Sequence, residues 1–471
     1  MEITNSNSPL LGRLKSLYEG ERLLVRRLMN ILHLLTGNFT SSFLGLIGFT
    51  LTARALGPTD YGLLALSFAY ARGIERIVSF RSWQPLIKYG ANKLAPDDHA
   101  DLKALLKFGL LLDISAAVVA WLVAIAIAVV AGHTFGIPHG ATTTVILYSC
   151  VLPFQFSGMS TAVLRLFGRY NVMAYGQVFS SSLRVLCCLY GAWAGWGLAE
   201  FLLIWMGFQI VGPLNMTFLA FMELRRRSIK GVLTTPLRGV SKRFPGLFKF
   251  SMSSNLSLTI RSSAYEFDTL IVGYLTDPAS AGLYHIAKRI GGIAQSVGGQ
   301  VQAVMFPDLA RSWTTGAIKE FRKAVFQAQL LLLSFGVATV TLVYFAIDPL
   351  LRLTAGVRFL AAGPLVVVQT LAVMMVLCGA ILYSALLSMG RERFVLRNVL
   401  LATLVFHATA FTLIPYIGPM GANFAHIAMS LFSLSGMTWL YRRSLAKSAG
   451  GSQEAILQDP PLAAGMDGQN A

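Results

Sequence analysis

The chain has 471 residues, 55% of them apolar and only 13% charged, with 39 Lys and Arg against 21 Asp and Glu for a net charge of +18. Soluble globular proteins carry about 25% charged residues, and a mean hydropathy of +0.62 excludes a string of water-soluble domains. A basic excess points to nucleic acid only where the cations cluster on a solvated domain, so their placement along the chain decides what they mean.

Residues 1–30 contain "LLGRLKSLYEGERLLVRRL", which alternates Leu and basic residues at helical spacing. An amphipathic cytoplasmic segment on the membrane surface is expected there. It is too polar for the apolar core of a signal peptide, and no small-residue cleavage site precedes the first apolar run. Twelve runs of about 20 residues, long enough to cross a bilayer, then follow. They lie at 31–53, 61–82, 108–131, 142–164, 171–193 and 197–222, then at 248–275, 281–307, 325–347, 363–388, 394–414 and 420–441. The basic stretch 223–247 separates the two sets of six, dividing the chain into an N-lobe (31–222) and a C-lobe (248–441). The tail 442–471 is rich in Gly, Pro and Ala near its end, and a disordered cytoplasmic segment is expected. The expected fold class is an all-α polytopic membrane protein.

Thirty of the 39 cations fall on one side of these spans: the N-terminal segment, the loops 81–107, 165–169, 225–249, 311–323 and 391–397, and the tail. The opposite connections hold only Arg54, Arg352 and Arg358. The positive-inside bias places both termini in the cytoplasm, as an even number of spans requires. The net charge is therefore mainly a topology signal, and nucleic acid is not an expected partner. Cys150, Cys187, Cys188 and Cys378 lie in apolar stretches without metal-ligand spacing, and no cofactor motif is present.

Six cations remain inside predicted spans, Arg72, Arg76, Arg184, Arg261, Lys288 and Arg289, with four acids more than one turn from a span end, Glu75, Asp113, Glu266 and Asp268. A cation at a helix centre costs about 2.5–3.5 kcal/mol on insertion scales, so such groups snorkel, pair or face water. Five of the six belong to spans two, seven and eight; Arg184, in span five, stands apart. Asp268 and Lys288 each lie about 10 Å below the same turn by helical rise, and an ion pair across that hairpin is expected. The opening helices of both halves also carry polar stripes. Asn38, Ser41, Gly45, Gly48 and Thr52 mark span one; Ser251, Asn255, Ser262, Tyr265 and Thr269 mark span seven; Lys288, Gly292, Gln295, Gly299 and Gln302 mark span eight. Small-residue stripes pack helices closely, whereas Gln, Lys and Arg stripes need water or partners.

Each half opens alike, with an Asn near the span start, small and polar residues, a Pro/Asp turn and a Gly early in the next helix. Six spans per half give a parallel repeat about the membrane normal, an architecture that places substrate between the repeats. The stretch "ARALGPTDYGLLAL" (53–66), with "FDTLIVGYLTDPASAGLYHIAKRI" (267–290) and "MFPDLAR" (305–311), resembles the polysaccharide-biosynthesis flippases of the multidrug/oligosaccharidyl-lipid/polysaccharide exporter superfamily. The resemblance covers residues 31–441. It implies two six-helix lobes around a central cavity lined by spans one, two, seven and eight. It also implies an undecaprenyl-pyrophosphate-linked oligosaccharide as substrate, an O-antigen or exopolysaccharide repeat unit. That unit would be moved to the outer leaflet of the bacterial inner membrane, with membrane lipids, a glycan polymerase and export machinery as partners.

On that basis Arg72, Arg76, Arg261, Lys288 and Arg289 are candidates to attract the pyrophosphate, because an Arg fork can bond two phosphate oxygens at once. Asn38, Asn255, Gln295 and Gln302 are candidates for the sugars, and Glu75, Glu266 and Asp268 for ion coupling or structural pairing. Moving one charge through 100 mV is worth about 2.3 kcal/mol, so voltage can drive both half-cycles of an anionic cargo. A drug antiporter of the same superfamily would favour acids in its cavity, whereas here six membrane cations face four acids. A membrane-embedded glycan-transfer enzyme needs a large outward loop or an acidic sugar-nucleotide site; the longest outward connection, 348–362, has one acid, Asp348. The run Asp97, Asp98 and Asp101 has spacing that suits Mg²⁺-diphosphate, but it also opens a helix, where acids favour the dipole. No Walker A sequence occurs.

Overall fold

The computed structural model describes residues 9–79, 82–91, 93–94, 99–131, 142–237, 240–244, 247 and 264–450. Among these, every regular element is helical. In chain order they are α1 (Pro9–Val78), α2 (Trp83–Gly90), α3 (His99–Ala131), α4 (Thr142–Ser149), α5 (Gly158–Leu166), α6 (Tyr170–Trp193), α7 (Leu198–Arg226) and α8 (Val240–Arg243). There follow α9 (264–275), α10 (Pro278–Thr314), α11 (Ile318–Thr354), α12 (Gly363–Ser388), α13 (Glu392–Ile417) and α14 (Pro419–Gly450). Among the described residues, eight helical stretches are long and apolar enough to cross a membrane. In α7 and α11 only 17% of the most apolar window is buried, so a wide apolar surface faces outward, as lipid requires. This is a multi-pass membrane protein.

The helix α1 runs without a gap from Pro9 through the first predicted span, and it contains a reversal. Gly57 has φ 77° and ψ 174°, a conformation that only glycine adopts without steric cost. Pro58 then opens the second limb with its φ already helical. Phe49 and Phe68 would lie about 28 Å apart in a straight helix, yet their ring centroids are 5.7 Å apart. The two limbs are therefore antiparallel neighbours. The α9–α10 turn likewise opens its second helix on a proline. Asp277 accepts from Ser280 N at 2.9 Å as the cap of α10, with Pro278 next.

These two turns meet. A Cβ on Gly62 would fall 1.7 Å from the Pro278 carbonyl oxygen, and one on Gly282 would fall 2.6 Å from that of Pro58. Nearby, Arg54 Nη1 donates to the Leu353 carbonyl at 2.8 Å. A central core joins both halves of the chain here, with Phe49, Tyr61, Trp205, Tyr284, Phe359 and Phe406 among its buried members. Two further cores lie one in each half, around Leu102 and Phe244 and around Phe321 and Leu386.

Three sequence expectations change. The run 142–164 is not one continuous helix: it breaks between α4 and α5, with a 3-10 turn at Leu152–Phe154 carrying Pro153. A broken helix at membrane depth must satisfy its freed backbone from neighbours. Asp113 of α3 does so, accepting from Met159 N at 3.0 Å and Ser82 Oγ at 2.7 Å. The linker 223–247 is not simply a solvated loop, since Ile229, Val232, Val240, Phe244 and Leu247 are buried. The tail 442–471 begins as helix, α14 continuing to Gly450, while 451–471 lie outside the described residues. Of the acidic run, Asp97 and Asp98 also lie outside them. Asp101 sits in the first turn of α3, paired with Arg243 at 2.9 Å and Lys93 at 3.3 Å.

Candidate functional site

Along the second limb of α1, Phe68, Arg72 and Arg76 recur every four residues and so share a face. Opposite them stand α10 with Arg289 and α6 with Arg184. The guanidinium of Arg289 lies 4.3 Å from the Phe49 ring centroid and 4.8 Å from that of Phe68. Phe49 stacks on Trp205 at 3.8 Å, and the other side of this aromatic pair receives Arg184, 4.7 Å from the Trp205 ring. Arg72 lies 5.1 Å from Phe68. Three arginines from three helices thus converge on one aromatic group, each held by a ring face, a contact that leaves guanidinium edges able to donate.

Among the described residues, no carboxylate pairs with Arg72, Arg184 or Arg289. The buried Nε atoms of Arg72 and Arg184 have no hydrogen-bond partner there, and Arg289 Nε donates to His285 Nε2 at 3.2 Å. An unmet buried donor costs about 1–3 kcal/mol, more when charged. Two such donors, with Arg289 beside them, lie against one aromatic group.

Arg76 behaves differently. Its Nε donates to Glu266 Oε1 at 3.0 Å, and Glu75 sits among Arg72, Arg76 and Glu266. Arg76 also borders a cavity of about 430 Å³ lined otherwise by the second half of the chain. Arg76, Tyr265, Gln295, Gln302, Tyr383 and Ser433 are among its lining residues. Gln302 donates to the Ala380 carbonyl at 3.2 Å, which fixes its amide in the wall. Volume and lining fall in the range of small-molecule sites, about 300–1,000 Å³ with a few convergent polar groups.

Lys288, next to Arg289 in sequence, points elsewhere: its ammonium lies 2.5 Å from Asp268 Oδ1. Asp268 is fully buried and also accepts from Tyr284 Oη at 2.9 Å and His426 Nε2 at 3.1 Å. Of the other predicted residues, Asn38 is exposed on α1, and Asn255 and Arg261 lie outside the described residues. The structure therefore brings Arg72 and Arg289 together, puts Gln295, Gln302 and Arg76 on one cavity, and sets Lys288 apart from the arginines. Arg184 is the residue that the sequence left alone. Its only sequence signal is a full charge in the middle of α6, without a second ionisable side chain among the 24 residues of that helix apart from Cys and Tyr.

The inner membrane protein YghQ of Escherichia coli (strain K12) is 26% identical over 338 residues, 70% of this chain and 93% of that protein. Among solved structures, the lipid II flippase MurJ in an inward closed conformation superposes with a TM-score of 0.64 at 15% identity, over 88% of this chain and 91% of that one. An inward-facing multidrug resistance MATE family transporter of the MOP superfamily superposes with a TM-score of 0.61 at 15% identity, over 89% and 96%. The fold is that of multi-span membrane transporters. Residues 28–313, more than half of the chain, match the family described as polysaccharide biosynthesis protein, and the chain belongs to that family.

Proposed function

We propose that this protein is a flippase that moves an undecaprenyl-pyrophosphate-linked oligosaccharide, an O-antigen or exopolysaccharide repeat unit, from the inner to the outer leaflet of the bacterial inner membrane. The observation that carries the proposal is the convergence of Arg72, Arg184 and Arg289, none paired with a carboxylate among the described residues. A diphosphate brings about two negative charges and oxygens that match guanidinium forks. Arg76, one turn along α1 from Arg72, lines the cavity with Tyr265, Gln295 and Gln302, which offers aromatic faces and amides for sugar rings and hydroxyls.

Twelve spans, in lobes 31–222 and 248–441 with both termini cytoplasmic, account for this geometry. The reversal at Gly57 divides one apolar stretch into two crossings, and the reciprocal packing of Gly62 on Pro278 and Gly282 on Pro58 is what a two-fold-related repeat produces. In that orientation the Pro58–Pro278 contact closes the outer end, and rocking the lobes opens it. A cation antiporter would require a free acid in its path; Asp268 already holds Lys288 and Glu266 holds Arg76, and Glu75 stands between two arginines.

Deleting the protein and identifying the lipid-linked glycan that accumulates on the cytoplasmic face tests the proposal. An unchanged lipid pool would redirect it to small-molecule export.

A further inference from the structure

The second half of the chain holds a charged group that the flippase cycle above does not use. Asp268 is 0% exposed, and its carboxylate accepts from five donors on three helices. Oδ1 receives Thr269 N at 2.6 Å, Thr269 Oγ1 at 3.1 Å and Lys288 Nζ at 2.5 Å. Oδ2 receives Tyr284 Oη at 2.9 Å and His426 Nε2 at 3.1 Å. Among these described donors, Lys288 is the one that brings a positive charge without a proton having to be added to His426.

The ammonium has a second ligand. Lys288 Nζ also donates to the backbone carbonyl of Tyr265. It is therefore held between a carboxylate oxygen and a carbonyl oxygen, the donor set that hard cations take. The surroundings are dry on the Asp268 side. The His426 ring stacks on Tyr265 at 5.2 Å and abuts Phe406 at 4.5 Å, and His426 is 2% exposed. On the other side the Lys288 side chain is 25% exposed, and Tyr265 lines the cavity, so the site has an approach. An ion pair that merely ties the α9–α10 hairpin needs two groups; here the carboxylate also reaches α14 and the ammonium also takes a backbone oxygen.

We infer that Lys288 is a tethered cation filling an oxygen-lined monovalent-cation site, with Asp268 Oδ1 and the Tyr265 carbonyl as its ligands. The charge of Asp268 is balanced by the protein itself rather than by a dissolved Na⁺ or K⁺. It follows that the intact protein takes up no such ion here and that removing the lysine head creates a site for one. This holds whatever substrate is transported.

The test is thermal unfolding of the full-length purified protein in detergent, in matched choline, sodium, potassium and n-propylammonium chlorides. The wild type is expected to unfold at one temperature in all four. Lys288→Ala leaves an uncompensated buried carboxylate, and cations small enough to enter are expected to raise its midpoint by at least about 5 °C over choline. n-Propylammonium, which restores the deleted atoms, is expected to do so at the lowest concentration. Lys288→Ala/Asp268→Asn removes both charges and is expected to unfold at one temperature in every salt.

A Lys288→Ala protein indifferent to the cation, or rescued only by lowering the pH, would overturn the inference. So would a wild type stabilised by sodium or potassium over choline, a measurement that stands even if Lys288→Ala does not fold. Lys288→Gln supplies a second variant with the same expectation of cation rescue.

Discussion

The Tyr61 hydroxyl and His285 Nδ1 lie 2.7 Å apart, in a contact that joins the first half of the chain to the second beside the Pro58–Pro278 turns. The protonation follows from its neighbour. Arg289 Nε–H can only donate, and it reaches His285 Nε2 at 3.2 Å, so that nitrogen presents its lone pair. Nδ1 then carries the proton and donates to Tyr61. The arginine site is thus wired through one imidazole to the contact between the halves. Tyr61→Phe leaves a buried N–H unpaired and is expected to cost about 1–3 kcal/mol. Thermal unfolding in detergent reads this directly, and an unchanged midpoint would contradict the assignment.

Gly62 and Gly282 let two backbones touch where any side chain would strike a carbonyl oxygen. Gly62→Val should therefore pry the two turns apart and populate the arrangement open at that end. Ala281 is fully buried there, so a cysteine replacing it, in a chain whose four native cysteines have been substituted, reports the change. Its maleimide labelling is expected to rise sharply when Gly62→Val is added. Equal labelling in both backgrounds would show that the contact is not what closes this end.

Asp113 holds the broken span together by capping α5 from a different helix. Asp113→Ala removes the partner of both Met159 N–H and the Ser82 hydroxyl. A loss of about 1–2 kcal/mol is expected, in the range of a strong N-cap. Gly158→Ala should also destabilise, because its Cβ would sit 2.5 Å from Asp113 Oδ2. A pair of variants as stable as the parent would mean that α5 needs neither group.

Charge at membrane depth was the most informative signal in the sequence, because a bilayer makes an unpaired cation expensive. It singles out Arg72 and Arg289 and the Asp268–Lys288 hairpin pair. It did not separate Lys288 from Arg289, since adjacent residues differ by about 100° around a helix and only packing shows which neighbour each meets. Arg184 stood alone on its span, and its partner in the site, Trp205 on α7, is not marked by any periodicity. The break at Leu152–Phe154 was hidden by apolar composition, with Pro153 its one local sign. The turn at Gly57, by contrast, was legible from the Gly-Pro pair itself.

A cationic site that carries an anion outward and returns empty is driven both ways by an inside-negative potential, at about 2.3 kcal/mol per charge per 100 mV. Glycan export is therefore expected to continue when the proton gradient is dissipated with the voltage held. Export that stops under those conditions would implicate Glu75 or Glu266 as a proton carrier.

The arginine cluster is the centre of the account, and ligand binding to the purified protein tests it most directly. Undecaprenyl diphosphate should bind and undecaprenol should not. Arg72→Ala, Arg184→Ala and Arg289→Ala should each weaken diphosphate binding at least about tenfold, the loss of one charged hydrogen bond, with Arg184→Lys intermediate because it keeps charge but not the planar stack on Trp205. Equal binding of the two lipids, or three alanine variants that bind diphosphate as the parent does, would contradict it.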